Sequence, residues 1–314
     1  MGFHYVRQSI PRHQFIPVLA LTAFGFYVAC HLIFAAQVSK VLVVHSTGYE
    51  RYGKNLINRT YVSPLARQQP KRGRLFCFAI STTKFHQNRV PAINSTWLQN
   101  CDAGHFFTNS RNHLLNVPFH TIFQEIPDDY MGLFWKSRIA LYYAYSISND
   151  FDWYIKSDDD TYLIIDRLRE YLSEFDPNKP YFLGYRLKRR FTTGYNAGGS
   201  GYIISRKAMQ IFAEQLFPNP LLCPFHDWED YGISRCFHSV GISASDTRDK
   251  KGRQRFLQFS PDEHFKGTIL HNWIFDEKQF MGFEIFHRNL IALHHLTPQE
   301  IHLIHAFLYK IHDD

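Results

Sequence analysis

The chain is short of cysteine, of repeats and of patterned charge, and each shortage removes a class of function. Five cysteines occur in 314 residues and no two are spaced C-x-x-C, which argues against zinc modules and dithiol redox chemistry. No internal repeat or low-complexity tract is present, so solenoids and flexible linkers are poor readings. The formal net charge is +7 and the isoelectric point about 9.1. Yet the basic residues lie in small clusters, Lys71-Arg72-Arg74, Lys188-Arg189-Arg190 and Arg248 to Arg255. None forms a stripe interleaved with aromatics, so nucleic acid is not the expected partner. One further gap is local. Phe15 to Ala36 holds no Asp, Glu, Lys or Arg.

That uncharged stretch is long enough to cross a bilayer as a helix. Arg7 and Arg12 precede it, which places the N-terminus in the cytosol. The expected organisation is a tail (1–14), a transmembrane signal-anchor (15–36), a polar stem (37–74) and one large lumenal domain (75–314). A signal peptide cleaved near Ala35-Ala36-Gln37 is the alternative. Cys30 falls in the apolar stretch. Cys77, Cys101, Cys223 and Cys236 remain, an even number suited to disulfides in an oxidising compartment. Nearest-neighbour pairing, Cys77 with Cys101 and Cys223 with Cys236, is one of three connectivities. Two sequons, at Asn58 and Asn94, would carry glycans if they meet the lumen.

What is abundant is apolar surface: 45% hydrophobic and 17% aromatic residues, enough for a sizeable core. The run Leu75 to Ile80 reads as a buried strand. Gly104–Thr108, Phe119–Phe123, Trp153–Lys156, Tyr181–Gly184 and Gly201–Ser205 read as further strands. Helical patterns cover Val90–Leu98, Phe134–Ile147, Ile164–Phe175 and Arg206–Gln215. Strands alternating with helices predict an α/β fold with a mainly parallel sheet.

Four segments carry chemistry. Asp158-Asp159-Asp160 closes the strand that begins at Trp153. Ligands of open α/β sheets bind at that end. Three adjacent carboxylates repel, and a hard divalent cation relieves this while leaving positions for phosphate oxygens. In an extended segment Asp158 and Asp160 share a side, leaving Asp159 for the ribose or uracil. A plain acidic helix cap is the competing reading. Next, Gly198-Gly199-Ser200-Gly201 precedes a strand, which suits close backbone approach to a ligand or simply a tight turn. Asp227-Trp228-Glu229-Asp230 offers a carboxylate as general base, or an acidic helix start. His294, in Ala292-Leu293-His294-His295, could complete a metal shell, although it is one of 18 histidines.

In this order the segments resemble glycosyltransferase family 31, and within it the core 1 β1,3-galactosyltransferase branch. Asp152 to Tyr162, Tyr195 to Ser205, Glu229-Asp230 through Arg235-Cys236, and Ser245 to Asp249 carry the likeness. It extends over roughly residues 75 to 310. The resemblance implies a GT-A fold and an inverting, Mn²⁺-dependent transfer of galactose from UDP-galactose. The implied acceptor is the 3-hydroxyl of GalNAc O-linked to a glycoprotein. It implies Asp158, Asp160 and His294 as metal ligands, and Asp230 as base with Glu229 its rival. It implies Asp159, Lys136, Arg138, Gly198 and Gly199 on the nucleotide side, and Trp273 and Tyr195 at the acceptor. A Golgi, type II membrane location follows from the same likeness, and a homodimer is compatible with it. The departures are Asn196-Ala197 before the double glycine, Asp128-Asp129-Tyr130 upstream of Trp135, Phe256 to Phe259, and Phe286-His287 where the branch carries paired cysteines. The competing readings are a family transferase with another donor or acceptor, such as a Fringe-like GlcNAc transferase, and a non-catalytic chaperone-like relative. The second lacks an acidic triplet.

Overall fold

The computed structural model describes residues 22–37 and 56–311, apart from Leu115, Arg189, Arg190 and the side chains of Ile57 and Asn58. The chain divides into two compact units, residues 1–44 and 45–314. In the first, residues 22–37 form an exposed helix, α1. No helix among the described residues is long and apolar enough to cross a membrane. Residues 15–21 of the expected anchor lie outside the described residues.

The second unit is built on a seven-stranded sheet among the described residues. Its strands are β1 (Tyr61–Val62), β2 (Arg72–Ile80), β3 (Ala103–Thr108), β4 (Phe119–Thr121) and β5 (Asp150–Asp158). After β6 (Tyr162–Leu163), which lies elsewhere, come β7 (Phe182–Gly184), β8 (Arg186–Leu187), β9 (Tyr195–Asn196) and β10 (Tyr202–Ser205). The order is β1-β4-β3-β2-β5-β10-β7. The centre, β4-β3-β2-β5, is parallel. β1, β10 and β7 pair antiparallel with their neighbours. β2 and β3 have no exposed residue from Leu75 to Ile80 and from Ala103 to Thr108. Strands buried on both faces need such unbroken apolar runs, which is why these two were plain in the sequence.

Cys77 on β2 is bonded to Cys101, and Cys223 to Cys236, the nearest-neighbour pairing. β1 already belongs to the sheet, and Ser63 beside it caps the helix Pro64–Gln68 and donates to the carbonyl of Val117 at 3.0 Å. Ordered sheet structure therefore begins ahead of Leu75. The expected helix at Val90–Leu98 is split. α2 (Arg89–Asn94) ends, and a 3-10 turn, Trp97–Asn100, follows. The helix from Arg206 changes at Phe212 into a π turn.

Two smaller sheets flank the main one. β11 (Phe256–Leu257) and β12 (Ala292–Leu293) pair in parallel, and β12 pairs antiparallel with β6. β8 pairs with β9. The helices that matter below are α3 (Leu133–Ile147), α4 (Ile165–Leu172), α5 (Glu229–His238) and α6 (Pro298–Tyr309).

Candidate active site

β2 and β5 run side by side, with Ile80 opposite Asp158. Their carboxyl ends therefore put Ser81 next to the acidic triplet. β5 stops at Asp158, and Asp159 and Asp160 occupy a turn. The extended geometry expected across the triplet is thus replaced by a bend. The bend turns Asp159 back onto the end of β2. There it accepts from the Ser81 hydroxyl at 2.6 Å and from Arg89 at 2.8 Å. Asp159 is buried and already engaged, not the free nucleotide contact that alternation suggested. Burial raises its pKa to about 6, against the pull of Ser81 and Arg89.

The pairing of β6 with β12 brings His294 to the triplet across a long stretch of chain. The loop is pinned by Leu296 N–H donating to the carbonyl of Asp160 at 3.1 Å, and by the Trp97 indole donating to Thr161 O at 2.9 Å. Asp158, Asp160 and His294 then offer ligand atoms within 4.8 Å of one another. His294 Nδ1 lies 2.7 Å from the carbonyl of Gln258. A carbonyl only accepts, so Nδ1 carries the proton and Nε2 faces Asp160 Oδ1 at 3.2 Å. Two lone-pair atoms at that distance need a cation between them, either a proton or a metal ion. Two carboxylates and one imidazole suit Mn²⁺ or a similar divalent ion, and the Gln258 carbonyl is the kind of outer contact that orients a ligating histidine. Burial works to lower the His294 pKa, but Asp160 outweighs it and the net shift is upward.

The double glycine has a steric cause. A Cβ on Gly199 would overlap the His294 ring, and one on Gly198 would overlap the Glu229 carboxylate. The backbone there approaches both halves of the site closely, so glycine is required for lack of room. Within Gly198–Gly201 a positive φ arises at Gly201, at +83°, where it lets the chain enter β10.

Glu229 and Asp230 open α5, the setting the plain helix-start reading expected, yet they also face the site. Glu229 is buried, accepts from the Tyr202 hydroxyl at 2.9 Å and lies 3.8 Å from Lys156 Nζ. Lys156 is buried on β5 and donates to Asp158 at 2.7 Å and to Gly198 O at 3.3 Å. It joins the metal-ligand half of the site to the carboxylate half. Neighbouring Asp158 and Glu229 hold its pKa above the usual lysine range despite burial. Asp230 accepts from Tyr231 N at 2.7 Å and Gly198 N at 3.4 Å. Burial, then the Glu229 charge, lift its pKa to about 7.

Asp230 opens onto a cleft of about 350 Å³ lined by Tyr130, Tyr195, Trp228, Gln258 and Trp273 among others. Trp228 and Trp273 face each other with ring centroids 6.2 Å apart. Gln258 is shared with His294, so cleft and triad adjoin. The structure thus brings Asp158, Asp160, His294, Gly198, Gly199, Glu229, Asp230, Tyr195 and Trp273 together.

Besides Asp159, two nucleotide-side candidates fall outside this grouping. Lys136 is buried and ion-paired with Asp128. Arg138 has no exposed surface, donates to the carbonyl of Phe217, and lies 5.3 Å over the Trp135 ring. Both sit on α3 with internal partners, because a buried cation must be paired. A pyrophosphate role does not follow from those positions. Asn94 is half-buried at the end of α2, with Thr96 Oγ1 donating to Ala92 O at 2.6 Å. The Asn58 side chain lies outside the described residues. Sequence reading missed Arg89, Lys156, Trp228 and Gln258. A lysine inside an apolar strand was the one visible signal among them.

Comparisons with known proteins come to the same region. The Fringe-like family model matches residues 73–313. Glycoprotein-N-acetylgalactosamine 3-beta-galactosyltransferase 1 of Xenopus laevis is 26% identical over 77% of this chain and 68% of its own length. The beta-1,3-glucosyltransferase of Homo sapiens is 29% identical over 66% of this chain, but the match spans only 40% of that relative. The mouse protein of the same name gives 28% over 66%, and 41% of its length. A solved galactosyltransferase, LgtC with donor and acceptor sugar analogues, aligns at a TM-score of 0.33 and 10% identity over 55% of this chain and 73% of its own, a likeness too slight to argue from. With nearly all of the second unit matched, the chain belongs to the Fringe-like family, glycosyltransferase family 31, and is a glycosyltransferase.

Proposed function

We propose that the protein is an inverting transferase of GT-A type that moves galactose from UDP-galactose to the 3-hydroxyl of GalNAc O-linked to Ser or Thr of a glycoprotein. The observation that carries the reading is one continuous site: the Asp158, Asp160, His294 triad beside Asp230, with Asp230 on the wall of an aromatic cleft. Asp158, Asp160 and His294 would hold the divalent ion, Mn²⁺ in this reading. Bound there, the ion supplies positive charge to the UDP diphosphate and eases its departure.

The protein's own groups do the rest. The apolar faces of Trp228 and Trp273 hold the acceptor sugar, since aromatic rings pack on its C–H face. Asp230 takes the proton from the 3-hydroxyl as that oxygen forms its bond to the anomeric carbon. The bond from that carbon to the UDP oxygen breaks, and the electron pair leaves with UDP. Attack from the face opposite UDP inverts the centre. Glu229, held by Tyr202 and Lys156, keeps Asp230's pKa raised and is spent on internal bonds. Asp230 is therefore the base and Glu229 its support. The tail, anchor and stem expected from the sequence, residues 1–14, 15–36 and 37–74, would place the catalytic domain in the Golgi lumen.

The test is transfer by the purified chain from UDP-galactose to a GalNAc-α-Thr peptide, with Mn²⁺ or with EDTA. A gain of one hexose that EDTA abolishes supports the reading. Binding of UDP without transfer sinks the named donor and acceptor, and leaves the second reading, another UDP-sugar such as UDP-glucose or UDP-GlcNAc. The glucosyltransferase relatives favour keeping that second reading open to test.

A further inference from the structure

We propose that Asp276 is a positioning residue that sets Trp273 against the acceptor, acting through a four-charge network beneath the cleft wall. This rests on reading the aromatic cleft as the acceptor site. Trp273 to Asp276 run alongside β8 and Lys188 just after it, held by several ties. Lys188 N donates to Trp273 O at 2.9 Å, Leu187 bridges to Ile274, and the Arg186 guanidinium lies 4.8 Å from the Phe275 ring centroid. The last tie is ionic. Arg186 meets Asp276 at 2.5 Å and Asp246 at 3.0 Å. Arg248 meets the same two carboxylates, Asp246 at 2.6 Å and Asp276 at 3.4 Å. The remaining oxygen of Asp276 accepts from Gln254 at 3.1 Å.

Two cations thus alternate with two anions, and the network is neutral. Its members are unequal. The Asp276 side chain is 4% exposed and that of Arg186 11%, whereas Asp246 is 45% exposed. Removing Asp276 leaves a nearly buried guanidinium short of a partner, and buried charges do not tolerate that in place. Arg186 must then reorient, and it carries the Phe275 contact with it. The backbone ties fix where the segment runs. The Asp276 carboxylate fixes how it is turned, and so where the Trp273 indole stands relative to Trp228 and Asp230. The segment Ser245 to Asp249 was marked out in the sequence, and the reaction itself gave it no task.

The experiment uses the full chain as wild type, Asp276→Asn, Arg248→Gln and the double variant, each labelled with 5-fluorotryptophan. The Trp273 and Trp228 signals are assigned with Trp273→Phe and Trp228→Phe. In Asp276→Asn the Trp273 fluorine resonance shifts, the acceptor KM rises about tenfold, as expected for a coupled buried pair, and the UDP dissociation constant holds. The double variant restores charge balance and recovers most of the acceptor affinity. Arg248→Gln alone, which leaves the Asp276–Arg186 pair intact, gives a smaller KM increase and covers the case in which Asp276→Asn fails to fold. An unshifted Trp273 resonance, or an acceptor KM at the wild-type value, overturns the proposal. So does a parallel loss of UDP affinity and thermal stability, which would mean general damage. If the wild-type chain transfers no galactose to the GalNAc peptide, the proposed donor and acceptor fail, and the fluorine shift still decides the positioning.

Discussion

At Gly199 a methyl group would occupy the space of the His294 imidazole. The ring is fixed from behind by the Gln258 carbonyl, so it cannot simply retreat. Gly199→Ala is expected to weaken metal binding about 10- to 100-fold, the usual cost of disturbing a ligating histidine. Titration with Mn²⁺ followed by electron paramagnetic resonance checks this, and an unchanged affinity would remove His294 from the triad. Asp160→Ala should abolish Mn²⁺-dependent binding of UDP while the far-UV circular dichroism stays native. Asp230 supplies a pH test. A general base works only when deprotonated, and its pKa is raised to about 7. Transfer rates at subsaturating acceptor should therefore fall as pH drops below 7 and level off above it. Asp230→Asn should lower turnover by about 10²–10⁴-fold and flatten that limb. A profile unchanged in the variant would shift the role to another group.

The elements matter because they decide which residues meet. α5 begins with two carboxylates, which favourable helix-dipole contact would explain alone. Its first turn joins the site through Tyr202 and Gly198, which bond Glu229 and Asp230, with Gly198 leaving room for Glu229, while the Cys223–Cys236 bridge ties α5 to the chain just ahead of it. Removing that bridge with Cys223→Ser and Cys236→Ser should destabilise the protein by roughly 3 kcal/mol on the loop-entropy argument. The loss should fall on the α5 start, so amide exchange near Tyr231 and Gly232 should rise more than exchange in β2. Equal protection in both would refute this local role.

Across the whole second unit, the candidate site gathers at the carboxyl ends of β2 and β5, as open α/β sheets arrange ligand sites. Family membership and the α/β class were readable because buried parallel strands demand long apolar runs, and because Trp153 to Tyr162 is a local, contiguous pattern. The four cysteines available for pairing were readable too, but which bonds to which stayed open among three connectivities until the fold brought Cys77 to Cys101 and Cys223 to Cys236. The split of the Val90–Leu98 helix, the early sheet edge at Tyr61 and the internal pairing of Lys136 and Arg138 were not readable. Two depend on partners distant in sequence, Thr121 and His120 for β1 and the Phe217 carbonyl for Arg138, while Lys136 meets Asp128 eight residues away through the turn that precedes α3. The sequence by itself determined the inventory of reactive groups and the strand that presents the acidic triplet. Only tertiary structure decided that Asp159 turns inward to Ser81 and Arg89, that Lys156 links the two halves, and that Trp228 faces Trp273. Spacing along a chain specifies local geometry, whereas these contacts are made between separate elements, and packing alone brings them within reach.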